Sequence, residues 1–139
     1  MILDSSTIVK LLVQEPFSDR AQKLVEDALS RGEELSVPDI ALAEVLNALW
    51  KYHKLLNELS TEEFHEAVRD ALRLWSVLKP YKTEELALEA CEIALAEKLT
   101  IYDALYLALA RRLGARLLSF DERMLTAARA LGIEIVPIR

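Results

Sequence analysis

The sequence predicts a three-layer α/β/α fold, with a central, mostly parallel sheet of about five strands and helices on both faces. Two observations carry this. Short apolar runs alternate with amphipathic helical segments, the pattern of repeated βα units. All three glycines, Gly32, Gly114 and Gly132, directly follow a helical segment, where glycine accepts the left-handed backbone of a helix C-cap. A length of 139 residues with 53% hydrophobic and 29% charged residues fits one domain spanning 1–139, with a core that needs no disulfide.

The elements follow in order. The opening "MIL" reads as a strand over residues 1–4. Phe17, Ala21, Leu24, Val25, Ala28 and Leu29 repeat at helical spacing. A second strand is expected at 35–38, and the segment "DIALAEVLNALW" forms the next helix. Ser60-Thr61-Glu62-Glu63 is a capping box that opens a helix through Phe64, Val68, Ala71, Leu72 and Trp75. A third strand is placed at 76–79. Tandem helices follow, from Thr83 to about Lys98 and from about Ile101 to Leu113, and the last two strands are placed at 115–119 and 133–136. Cys91 lies among apolar helical residues and is expected to be buried packing.

Composition limits the function classes. A single cysteine forms no internal disulfide, no signal peptide precedes the first strand, and the longest apolar stretches are interrupted by Glu44, Asn47 or Asp103. A cytoplasmic protein with no membrane span is expected. The net charge of −6 is unevenly spread, since residues 103–139 carry six arginines against four acids. Charge therefore neither demands nor forbids a phosphate-bearing partner.

Four acids stand near predicted helix starts inside apolar sequence: Asp4 in "MILDSS", Glu44 in "ALAEVLNAL", Asp103 in "YDALYLALA" and Asp121 in "LLSFDERML". Each has a simple alternative role. Asp4 suits an N-cap, while Thr100 through Asp103 and Ser119 through Glu122 resemble capping boxes. Glu44, surrounded by Leu42, Val45, Leu46 and Leu49, is harder to explain this way; Asn47 would share its helix face. In open parallel sheets, sites form beyond the carboxyl ends of the strands, and all four acids are expected at that one edge. Converging carboxylates repel by about 4 kcal/mol per close pair at an effective dielectric near 20. Protonation or a divalent cation relieves this, and all-oxygen donors suit Mg²⁺ or Mn²⁺. His53, His65 and Cys91 are isolated, which disfavours zinc.

Taken together, these four segments resemble the acidic signatures of PIN-domain nucleases, in order and approximate spacing, across the whole chain. Among them a short stand-alone domain is most similar to the VapC toxins of prokaryotic toxin–antitoxin pairs. The resemblance implies a metal-dependent endoribonuclease in which Asp4, Glu44, Asp103 and Asp121 hold Mg²⁺ or Mn²⁺ and an activated water leaves a 5′-phosphate and a 3′-hydroxyl. It implies that Ser6 and Ser119 position water or the carboxylates by hydrogen bonds, and Asn47 is a candidate for the same supporting role beside Glu44. It further implies a homodimer and a small antitoxin partner. Arg111, Arg112, Arg116 and Arg123 are candidates for holding RNA phosphates. A non-catalytic PIN-like module that binds RNA or protein is the alternative. A phospho-accepting receiver domain or a haloacid-dehalogenase-like hydrolase is disfavoured, because Asp4 is followed by Ser5-Ser6 and lacks their second acid.

Overall fold

A computed structural model describes residues 1–139. Four short strands, β1 (Ile2–Leu3), β2 (Ser36–Pro38), β3 (Lys79–Tyr81) and β4 (Leu117–Leu118), form a wholly parallel sheet in the order β3-β2-β1-β4. Seven helices flank it: α1 (Ser5–Leu12), α2 (Ser18–Ser30), α3 (Ala41–Lys54), α4 (Thr61–Trp75), α5 (Thr83–Glu97), α6 (Ile101–Leu113) and α7 (Glu122–Ala130). Parallel neighbours require helical crossovers, which cover the sheet and bury β1, β2 and β4, while the edge strand β3 stays largely exposed. Ile2, Leu3, Val37, Leu117 and Leu118 are all buried. The chain steps from β1 to β2 to β3 on one side, then returns to place β4 on the other side of β1. Strand order therefore reverses at the β1–β4 boundary.

Helix α6 holds the middle of the molecule. Its residues Ala104 to Ala110 are all buried. Each fully buried leucine among them contributes about 1.5–3 kcal/mol relative to exposure, so the helix start that carries Asp103 is firmly seated. Gly114, at φ 59°, closes the helix in the left-handed conformation.

Three expectations need correction. The run 133–136 is not a fifth strand but a single bridge, Leu117 to Ile135: Leu117 N–H donates to the Glu134 carbonyl and Val136 N–H to the Leu117 carbonyl, and the ladder goes no further. The third strand lies at Lys79–Tyr81 rather than 76–79, since residues 76–78 finish the last turn of α4. Pro80 is tolerated because β3 is an edge strand. Cys91 is exposed. Helix α5 carries apolar residues on opposite sides among its glutamates, and it is Leu86, Ala90 and Ile93 that face the core, while Leu88 and Leu95 point outward. Periodicity cannot choose a face on such a helix.

At the amino ends of the strands, Arg116 forks onto Glu33 through Nε at 3.0 Å and Nη2 at 2.6 Å, and the Met1 amino group stands 3.1 Å away. These cations, Arg116 first, hold the Glu33 carboxyl down at about 2. A depressed carboxyl stabilises the fold above its ordinary pKa and loses that contribution as pH falls toward the depressed value. Glu33→Gln is therefore expected to cost about 1–2 kcal/mol at neutral pH after solvent screening. It should also flatten the acid unfolding limb between pH ~4.5 and ~2, as read by urea titrations at stepped pH.

Candidate active site at the carboxyl edge of the sheet

The reversal of strand order brings the end of β1 beside the end of β4, and the first carboxylate lies there. Asp4 is 5% exposed. It caps α1, its Oδ1 accepting from the Thr7 backbone N–H at 2.8 Å and from the Ser6 hydroxyl at 2.9 Å. Its Oδ2 accepts from the Ser119 hydroxyl. The strand ends are also tied directly: Asp4 N–H and the Thr7 hydroxyl both donate to the Leu118 carbonyl. Burial raises the Asp4 pKa despite these donors. Capping and site-building are thus one arrangement, because the same hydrogen bonds that start the helix fix the carboxylate.

Asp121 follows β4 and caps α7, Oδ1 accepting from the Arg123 backbone N–H at 2.8 Å. Its own N–H donates to Ser119 Oγ at 3.1 Å, so Ser119 links Asp4 to Asp121. The capping box expected at Ser119–Glu122 does not form, since Ser119 is turned toward Asp4. Asp103 lies in the first turn of α6, its N–H received by the Thr100 side chain at 3.2 Å. Desolvation raises its pKa, the Arg123 guanidinium lowers it, and the Asp121 and Asp4 charges raise it.

Glu44, in the first turn of α3, is half-buried. Burial raises its pKa first; a hydrogen bond from Tyr106 opposes this, and the charges of Asp103 and Asp4 add to the rise. The four carboxylates thus form one electrostatically connected set at one edge of the sheet. No three of them stand at metal-ligand spacing as placed. The donor set is nevertheless all oxygen, rigidly mounted on Asp4 and short of compensating cations, which is the chemistry that suits a hard divalent ion.

Tyr106 is a site residue that sequence reasoning did not single out. Its hydroxyl donates to Glu44 Oε1 at 2.6 Å across 62 positions of sequence, and burial together with the Glu44 charge pushes its own pKa well up. A signal did exist: a tyrosine inside a wholly buried helix must find a partner for its hydroxyl. Asn47, expected to share the Glu44 face, is exposed and makes no hydrogen bond; the partner comes from α6 instead of one turn along α3. A further acid at this edge, Asp39, accepts from Thr83 N–H and its hydroxyl and so anchors the start of α5.

Of the four arginines, only Arg123 lies at the carboxylates, its Nη2 3.4 Å from Asp121 Oδ2. Arg116 is at the opposite end of the strands and is occupied by Glu33. Arg111 and Arg112 sit about 12–14 Å down the α6 axis from Asp103, and Arg112 pairs with Glu89 on α5. The charge asymmetry of the C-terminal segment therefore does not converge on the site.

Comparison with known proteins fits this geometry. Residues 1–130 match the PIN domain. The chain belongs to the PIN-domain family. This PIN domain is 33% identical over 124 residues to Ribonuclease VapC3 of Pyrobaculum aerophilum, covering 89% of this chain and 91% of that protein. It is 34% identical over 137 residues to Ribonuclease VapC46 of Mycobacterium tuberculosis, covering 96% and 94%. Its fold is similar to that of a toxin–antitoxin complex from Klebsiella pneumoniae, with a TM-score of 0.70, 15% identity and coverage of 99% and 97%. No helix of this PIN domain is long and apolar enough to cross a membrane.

Proposed function

We propose that this PIN domain is a Mg²⁺- or Mn²⁺-dependent endoribonuclease and the toxin of a toxin–antitoxin pair. The observation that carries the reading is the set Asp4, Glu44, Asp103 and Asp121. The charges of Asp4 and Asp103 bear on Glu44, and those of Asp121 and Asp4 bear on Asp103, at the carboxyl edge where strand order reverses and where such folds bind ligands. The relatives named ribonucleases support RNA as the substrate.

Asp4 and Asp103, with Glu44 and Asp121, would hold the cation, which when bound supplies an activated water and offsets charge on the scissile phosphate. The chain's own groups do the positioning. Ser6, Ser119 and the Thr7 N–H orient the Asp4 oxygens, Tyr106 orients Glu44, and Arg123 offers a cation beside Asp121 for an incoming phosphate. Attack of water on phosphorus with cleavage of the P–O3′ bond leaves a 5′-phosphate and a 3′-hydroxyl, with no covalent enzyme intermediate. A homodimer in the cytoplasm, silenced by a small antitoxin that covers the acidic edge, completes the proposal. An anionic edge of this kind favours a partner that inserts an arginine.

The test is cleavage of defined RNAs in Mn²⁺ against chelator, with the end groups analysed. Cleavage confined to Mn²⁺ or Mg²⁺ with 5′-phosphate ends is expected; activity surviving chelator, or 2′,3′-cyclic phosphate ends, rejects the mechanism. The same cation should raise the melting temperature by linkage, worth about 2.7 kcal/mol when present at ~100 times its Kd. A melting curve indifferent to the ion speaks against the site.

A further inference from the structure

Beside the acids lies an aromatic pair that the chemistry above does not use. Phe17 stacks on Phe120, ring centroids 5.8 Å apart and planes inclined by 24°. The outer side of Phe17 is open to solvent, the residue being 63% exposed. Lys10 Nζ stands 5.5 Å from the centre of the Phe120 ring. Phe120 is placed by the site itself: it lies between Ser119, whose hydroxyl reaches Asp4, and Asp121.

We propose that the Phe17–Phe120 stack is a nucleobase-binding subsite, on which a base flanking the scissile phosphate of a single-stranded RNA stacks. The proposal rests on the ribonuclease reading and names a contact for its substrate.

Three observations converge on it. Phe17 has φ 71°, a left-handed backbone that is unfavourable for a bulky side chain. Such an outlier persists only where surrounding structure enforces it, and here the enforcement is explicit. Ser18 Oγ accepts from Glu15 N–H at 3.0 Å and donates to the Val13 carbonyl at 3.0 Å, and Glu15 is gripped by Lys10 at 2.8 Å and by the Tyr52 hydroxyl. The turn thus holds a large apolar ring out in water, already oriented, where burial would be the ordinary outcome. A flat, preorganised aromatic face costs little further ordering on binding. Base–aromatic stacking is sequence-tolerant, because every base has a π-face. Location then decides between a base and a peptide side chain: Phe120 directly precedes Asp121, which Arg123 contacts, and the proposed chemistry puts the scissile phosphate there, so a neighbouring nucleotide reaches the platform.

The experiment is equilibrium binding of a fluorescein-labelled single-stranded RNA to the Asp103→Asn protein, followed by anisotropy. That background removes one repelling charge and keeps the RNA uncut. Adding Phe17→Ala should weaken binding about 5- to 100-fold, while Phe17→Trp retains or tightens it. Phe17→Gly separates binding from folding. Glycine relieves the positive φ, so the melting temperature should hold or rise while RNA affinity falls; a merely structural Phe17 would lower melting and leave affinity unchanged. An unaltered affinity in Phe17→Ala, or no RNA bound by the parent, overturns the subsite. The two readings part cleanly. RNA cut by the wild type with unaltered Phe17→Ala affinity removes the subsite alone. Phe17-dependent binding with no cleavage by the wild type in Mn²⁺ removes the nuclease and leaves an RNA-binding surface.

Discussion

Asp103→Asn should abolish RNA cleavage and at the same time stabilise the metal-free protein. The first effect follows from the loss of an anionic oxygen donor: removing groups that merely support metal ligands costs about 10- to 100-fold, so a drop beyond ~100-fold is expected for a ligand itself. The second follows from electrostatics. Asp103 is half-buried and faces Asp121 and Asp4, with Arg123 as the only opposing charge among its main influences. Its raised pKa means that the folded protein binds this proton more tightly than the unfolded chain. Stability is therefore lost as pH rises from the ordinary carboxylate range through the raised value. Asparagine has nothing to lose over that window. Relief of ~1 kcal/mol would move the melting temperature of the metal-free protein by roughly 2–4 °C at neutral pH. The advantage should disappear below pH ~4, where the aspartate is protonated in both states. Divalent ions should reverse the ranking, raising the wild-type melting temperature and leaving that of the variant unmoved. Melting curves at two pH values, with Mn²⁺ and with chelator, read all of this. A variant that melts lower than wild type in chelator at neutral pH would show that the carboxylate set is not under electrostatic strain.

That opposition between stability and function explains which parts of the site were legible in sequence. Asp4, Asp103 and Asp121 each stand at a helix start, where an acid has an ordinary structural reason to be. Asp4 and Asp121 do cap α1 and α7. Thr100 caps α6 through Asp103 N–H, without the reciprocal bond that makes a capping box at Ser60 and Glu63. The capping reading and the site reading were never alternatives: a helix start beyond a parallel strand is both a place that wants an acid and the edge where ligands bind. Glycine caps and period-3.6 patterning located the helices because those signals are local. The strands were harder, since runs of two or three residues are too short to carry an alternation from which to read an end. Arg116 is the opposite case. Its type suits phosphate, but its partner Glu33 lies 83 positions away and at the wrong end of the strands, and no local pattern announces such a pairing. The outward face of α5 was invisible for a related reason, Leu88, Cys91 and Leu95 being as apolar as the residues that pack inward.

Tyr106→Phe tests a contact at the site that only the fold reveals. Phenylalanine keeps the ring in its buried slot, where Tyr106 is 1% exposed, and deletes only the hydroxyl that reaches Glu44 at 2.6 Å. The hydrogen bond favours the ionised carboxylate, opposing burial and the charges of Asp103 and Asp4. Without it the Glu44 pKa rises further, its orientation loosens, and a carboxylate that must be ionised to take a cation holds its proton to higher pH. Cleavage should fall about 10- to 100-fold, the usual cost of removing a group that orients a metal ligand. The loss should be steeper at mildly acidic pH than at alkaline pH, and higher Mn²⁺ should recover part of it. Folding stability should change by only about 1 kcal/mol, because the lost hydrogen bond is partly offset by burying one polar group fewer. A purely structural tyrosine would give the reverse signature, a lowered melting temperature with an unchanged pH profile and an unchanged Mn²⁺ requirement. Cleavage rates across pH at two Mn²⁺ concentrations therefore decide whether α6 serves the site twice, once through Asp103 and once through the hydroxyl that aims Glu44.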